Sequence, residues 1–316
     1  MINDAELEDL KTVFVDDYEK YIEMGTIDWE TVSTYEQLPE WFIKKHINDI
    51  NFLCISRCHV LTDEFLLKFR KEVDWNQISM YRKLSEETIR NFASYVEWVF
   101  ISTYQKLSEK FIDEFKDYVS WEHISWCQML SESFIEKHWQ YLSWDGIAIR
   151  QKLSPEFIYK WKEKFYIKNI LPYQNVSDDY IKYVKEEAPE LLYLTDDNWI
   201  YKSAEEKKQA VVDTGDYECY DDYFIAYKAV RIDGYSFYNL QYKYEKGGIY
   251  ESWCDCSDKD DSFGLNVGTN DYAQEYGIFS TNENYKILRC KVKYEDVGRV
   301  IDECEKVRCF KIEILN

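Results

Sequence analysis

Leu recurs every 23 residues along this chain, at Leu38, Leu61, Leu84, Leu107, Leu130 and Leu153, and Val176 keeps the register. An aromatic column runs beside it: Trp29, Phe52, Trp75, Trp98, Trp121 and Trp144. So does a β-branched column of Val32, Ile55, Ile78, Ile101, Ile124, Ile147 and Ile170. A fixed period held without insertion predicts a stacked-repeat architecture. Within the copy at Leu107, Glu109, Phe111, Ile112, Phe115, Tyr118 and Val119 follow one another with the apolar positions on one helical face. Ser108 is placed to cap that helix, and Thr62, Ser85, Ser131, Ser154 and Ser177 hold the equivalent place. Pro155 follows Ser154 at the first helical position, where a missing N–H costs nothing.

A second short helix is predicted after each of these. Asp74 precedes the stripe Trp75, Ile78 and Tyr81, with Gln77 spaced for a capping box. Neither helix is long enough to be stable alone, so neighbours must stack to bury their shared columns. The fold class expected is an α-solenoid of 23-residue two-helix repeats followed by a small α+β domain. Residues 1–202 are assigned to the repeats with terminal capping segments at about 5–26 and 185–205, 203–216 to a polar linker, and 217–316 to the α+β domain.

The columns act as an internal control on single residues. His46 and His138 stand where Phe69, Phe92, Phe115 and Trp161 stand, and so are expected in the core. Cys58 and Cys127 replace Tyr35, Tyr81 and Tyr104 as small apolar fillers. His59 shares a column with Glu36, Arg82, Gln105, Gln128 and Gln151, a polar set that reads as exposed. Other columns carry apolar residues where copies elsewhere carry polar ones. Met80, Trp126 and Ile149 align with Thr34, Arg57 and Thr103. Val99 and Phe100 take places held by Glu30, Glu122, Gln77 and Thr31, and Trp139 aligns with Arg70, Lys116 and Lys162. These six are the candidate partner-binding residues; the alternative is that they touch a neighbouring loop or the C-terminal domain.

Beyond residue 217 the period gives way to strand patterns. FIAYKAV at 224–230 reads as a strand, as do the alternating Leu288, Cys290, Val292 and Tyr294, and the stretch Arg308, Phe310, Ile312, Ile314. Gly264 and Gly268 bracket another; Asn270 is expected to cap a short helix that Gly277 ends.

Charge and chemistry narrow the picture. A net charge of −21 argues against binding a nucleic-acid backbone and for a soluble, self-repelling surface, or for mimicry of nucleic-acid phosphates. The N-terminal segment MINDAELEDL does not read as a signal peptide, and no apolar run approaches a membrane span, so a cytoplasmic protein with reduced thiols is expected. Cys254, Cys256, Cys304 and Cys309 could gather around zinc, but C-x-C with C-x4-C is not knuckle spacing; free thiols are expected. No catalytic set, metal site or cofactor motif stands out, and no His follows His138.

The unit L-S-x-x-F-I-x-x-F followed by D-W-x-x-I-S-x-Y-Q-K-L, clearest in YQKLSEKFI at 104–112, resembles repeats of giant-virus and large-phage proteins over residues 27–185. GLNVGTNDYAQEYG, KILRCKVKYEDVGRV and EKVRCFKIEIL resemble the small domain at the end of the phage rapid-lysis B (rIIB) protein, with Asn266 where that domain has His. The resemblances imply a viral origin more than an activity; with no catalytic set in the sequence, a non-enzymatic protein that binds a host defence or regulatory protein in the host cytoplasm is expected. A looser similarity to ADP-ribosyltransferases rests on Gly264, Ala273 and Tyr276, and would give Arg231, Ser262 and Glu295 the nicotinamide-facing roles of an enzyme.

Overall fold

The computed structural model describes residues 2–34, 38–58, 61–196, 198–237, 242–257, 259, 262–281, 285–301 and 305–316. The chain forms two compact units, Met1–Val119 and Ser120–Asn316. Successive short helices make up the first unit and the start of the second, and an antiparallel sheet follows.

The first unit opens with the helix Asp4–Phe14, closed at its start by a capping box between Asn3 and Glu6. A 3-10 turn at Val15–Tyr21 and a two-residue hairpin, Ile22–Glu23 with Thr26–Ile27, lead into the repeats. Helices then alternate as the pattern requires: Trp29–Thr34, Glu40–Lys45, Phe52–Cys58, Asp63–Lys68, Trp75–Tyr81, Glu86–Asn91, Trp98–Tyr104 and Glu109–Glu114. Thr62, Ser85 and Ser108 accept from the N–H groups of Phe65, Thr88 and Phe111, which satisfies an orphan amide at each start. The Leu and Ile columns are fully enclosed. The indoles lie closer to the surface, with Nε1 of Trp75 and Trp98 donating to the carbonyls of Arg70 and Ala93 at 2.9 and 3.1 Å.

Polar residues staple one repeat to the next. The hydroxyl of Ser56 donates to the Phe52 carbonyl at 2.6 Å and accepts from the Asp74 N–H at 2.9 Å. Ser33 and Ser79 accept in the same way from Asn51 and Glu97. Glu40 and Glu86 each accept, at 2.7 Å, from the N–H of the capping residue one repeat on, Thr62 and Ser108.

The polar column of Arg82, Gln105, Gln128 and Gln151, expected at the surface, is buried. Gln105 Nε2 donates to the carbonyls of Ser79 and Arg82 at 2.9 and 2.6 Å, and its Oε1 accepts from Leu84 N–H at 2.9 Å. The turn between two short helices leaves main-chain groups with no helical partner, and only a long amide with both donor and acceptor can satisfy them from the adjacent repeat. His59 and Glu36, of the same column, lie outside the described residues.

The second unit continues with Trp121–Cys127, Glu132–His138, Trp144–Arg150, Pro155–Lys160, Ile167–Ile170 and Asp178–Glu187. Gln151 repeats the Gln105 bonds on Ser125, Gln128 and Leu130, and Gln174 repeats them on Ala148, Gln151 and Leu153. The ladder ends where Asn198 Nδ2 donates to the Leu171 carbonyl at 2.7 Å and Tyr201 Oη donates to that of Gln174 at 2.8 Å.

Residues 203–216, read as a polar and partly helical joint, contain the helix Ala204–Thr214, whose Val211 is buried with Trp199 in the core of the sheet. The sheet runs in the order Ile249–Glu251, Lys311–Ile314, Tyr285–Lys293, Tyr223–Arg231, Leu265–Gly268, Lys306–Cys309 and Val297–Ile301, every pair antiparallel. Glu218–Cys219 adds a short strand on Tyr223–Arg231. The alternating stretch 308–314 breaks at Phe310, whose N–H and carbonyl bond Asp296 and Ser252, so its halves pair with different neighbours. The helix Asn270–Thr281 packs on the sheet and passes through Gly277 instead of ending there. A methyl group at Gly277 would lie 2.4 Å from the ring of Tyr285, so this glycine admits an aromatic residue. Thr269, not Asn270, accepts the first helical amide, from Tyr272.

Candidate functional site

The six candidate partner-binding residues divide between the units: Met80, Val99 and Phe100 in the first, Trp126, Trp139 and Ile149 in the second. Val99 is exposed, and Met80 and Phe100 are half-buried on adjacent second helices of their repeats. Phe100 leans on Tyr104, with ring centroids 6.2 Å apart.

The two candidate indoles, Trp126 and Trp139, are engaged within the chain. A Cβ at Gly146 would lie 3.1 Å from both Cδ1 and Nε1 of Trp126, so the indole fills the space a side chain would take. Arg150, beside Ile149, donates from Nε to the Trp126 carbonyl at 3.0 Å and lays its guanidinium 4.0 Å from the Phe263 ring centroid. Tyr173, one repeat on from Arg150, packs on the same ring, and its carbonyl accepts from Trp253 Nε1 at 3.1 Å. This edge of the repeats therefore carries the sheet. Trp139 faces Trp161 at 6.1 Å, and the Lys164 ammonium sits 4.6 Å from its ring.

His46 and His138 take the Phe place in the core, 4.8 Å from Trp29 and 4.9 Å from Trp121 respectively. His46 Nε2 also meets Asp9 Oδ2 at 2.9 Å, and Lys45 Nζ bonds the same carboxylate at 2.6 Å. Burial works against the Asp9 charge, but the bonds from Lys45 and His46 outweigh it and hold the carboxyl below its usual pKa.

Cys254, Cys256 and Cys309 are buried, and burial pushes the thiols of Cys254 and Cys309 far up, which keeps them protonated fillers of the core. Cys304 lies outside the described residues. The residues implied by an ADP-ribosyltransferase likeness are not gathered. Arg231 pairs with Asp233, Ser262 donates to Asp255 at 2.6 Å, and Glu295 pairs with Lys293. Arg231 and Lys293 end opposite sides of a nine-residue strand pair, which sets Arg231 roughly 25 Å from Glu295.

Sequence reasoning missed a cleft of about 700 Å³ inside the second unit, where the turns at Leu153 and Pro155 face Lys207, Trp253, Asp296 and Phe310. Lys207 is buried; its Nζ donates to the Glu295 carbonyl at 3.2 Å and lies near the Phe310 ring. Burial holds its ammonium below the usual lysine range, while burial and then the neighbouring Glu295 raise Asp296. Lys311 and Glu251 pair at the same cleft at 2.6 Å. These residues come from the repeats, the helix Ala204–Thr214 and the sheet, and no local pattern announces their meeting.

Comparison with known protein families, curated proteins and solved structures finds no match for the chain. Among the described residues no helix is long and apolar enough to cross a membrane.

Proposed function

We propose that this chain is a non-enzymatic, protein-binding α-solenoid of viral origin that captures a host defence or regulatory protein in the host cytoplasm. The observation that supports it is a division of labour among columns. The recurring Leu, Ile, Ser and Gln positions are spent inward on joining repeats, and the chemistry that changes from copy to copy lies at positions such as Val99 and Met80. In a repeat protein the inward columns set stability and the outward ones set specificity. Val99 is the exposed member of the six candidates, and the acidic chain favours a basic partner whose association slows with salt. The viral origin and the class of host target rest on the resemblances of the repeat unit and of the C-terminal stretches.

The test uses the full chain as bait in host lysate, followed by purification of the captured protein and measurement of its Kd. Val99→Glu should weaken that complex by about tenfold, or 1.4 kcal/mol, with circular dichroism unchanged. A folded Val99→Glu variant with parental affinity would move the surface elsewhere. Saturable binding of NAD by calorimetry would favour the enzyme instead.

A further inference from the structure

Buried charges are ordinarily paired, because an isolated ion loses its hydration without return. The cleft in the second unit departs from this at buried Lys207, and a half-buried carboxylate, Asp296, lies beside it without a side-chain partner among the described residues. Lys207 has one hydrogen bond, to the main-chain carbonyl of Glu295, and no ion pair among the described residues. Asp296, also at the cleft, has neither a side-chain hydrogen bond nor an ion pair among the described residues, although its main-chain carbonyl holds Phe310 N–H. Nearby Lys311 and Glu251 already satisfy each other. Of the other charged groups lining the cleft, Lys152 is exposed to solvent and Glu295 pairs with Lys293. Lys207 and Asp296 are the enclosed ammonium and carboxylate with bonding capacity unused, beside an apolar wall of Leu153, Ile200, Trp253 and Phe310.

A simple anion would satisfy Lys207 and leave Asp296 alone; a simple cation would do the reverse. A small molecule carrying both charges, with an apolar remainder, satisfies both and covers the wall. We propose that this cleft binds an α-amino acid with an apolar side chain, its carboxylate received by Lys207 and its ammonium by Asp296. The volume of about 700 Å³ falls within the roughly 300–1,000 Å³ of small-ligand sites. Lys207 rides on the helix Ala204–Thr214, which also packs against the 3-10 turn Tyr294–Asp296 that carries Asp296, so both charges are fixed by one packed pair of elements.

The probe is L-phenylalanine, titrated calorimetrically into the full chain, with 2-phenylethylamine and 3-phenylpropionate as analogues lacking one charge each. The expected result is saturable binding of phenylalanine, weakened about tenfold or more for either analogue. Asp296→Asn should erase the advantage of phenylalanine over 3-phenylpropionate, and Lys207→Met its advantage over 2-phenylethylamine. Asp296 lies nearer the surface, so its variant remains informative if Lys207→Met loses its native circular dichroism. Equal binding of all three compounds, no saturation up to about 10 mM, or unchanged selectivity in a folded Asp296→Asn chain would overturn the proposal.

Discussion

The side-chain amide of Gln151 donates to the main-chain carbonyl of Gln128, its counterpart one repeat earlier, over 2.8 Å, and Gln174 does the same to Gln151 at 2.7 Å. Each glutamine also takes a second carbonyl and gives its oxygen to an amide, so one side chain closes three main-chain groups. Gln151→Ala should therefore cost about 2–4 kcal/mol, because the groups it served stay buried without partners. Gln151→Glu should cost more, since a carboxylate would face carbonyl oxygens. Gln140→Ala, at an exposed position, should stay within about 0.5 kcal/mol. Urea denaturation of the three variants decides it; equal costs at 140 and 151 would refute the ladder.

Arg82 stands in the same column and serves it poorly. Its NH2 reaches the Leu61 carbonyl at only 3.4 Å, and burial pushes its guanidinium pKa down to about 10. A glutamine there has the amide reach that Gln105 uses and no charge to desolvate. Arg82→Gln should raise stability by about 1–2 kcal/mol. A loss in the denaturation midpoint would show that the guanidinium supplies something the column pattern does not.

The repeat was legible in the sequence because its apolar columns are periodic and uninterrupted, and the caps at Ser85, Ser108, Ser131 and Ser154 followed from local chemistry. The burial of the glutamines was not. A recurring polar column reads as solvent-facing unless one asks which turn amides remain unpaired, and that is a question about two repeats at once. The sheet strands were legible by alternation, but not the corner at Phe310, nor the passage of a helix through Gly277, because both depend on partners distant in sequence. The cleft residues, separated by as many as 182 positions between Met129 and Lys311, had no local signal at all.

Gly146 and Trp126 should be energetically coupled. Glycine inside a helix ordinarily costs about 1 kcal/mol against alanine. Here an alanine methyl would press on the indole and on Ser125 Cβ, both at 3.1 Å. Gly146→Ala should be neutral to destabilising in the parent and more favourable by about 0.5–1.5 kcal/mol in a Trp126→Ala background. A double-mutant cycle by thermal or chemical denaturation measures this directly. Simple additivity would mean the indole moves aside freely.

The first unit should carry an acid-sensitive contact at Asp9. Its carboxyl is buried, bonded to Lys45 and His46, and held below its usual pKa. A carboxyl lowered in the folded state contributes stability that is full above its unfolded value of about 3.9 and is lost as pH falls through the folded value. Asp9→Asn should cost about 1.5–3 kcal/mol at pH 7, as loss of hydrogen bonds to a charged group does. The cost should shrink below about pH 4, where the parent protonates too and the two chains converge. Stability of parent and variant measured by urea denaturation from neutral pH down to about 2.5 tests both halves, since the crossover sits below the unfolded carboxyl value. A difference that stays constant across that range would mean Asp9 acts through packing and not through its charge.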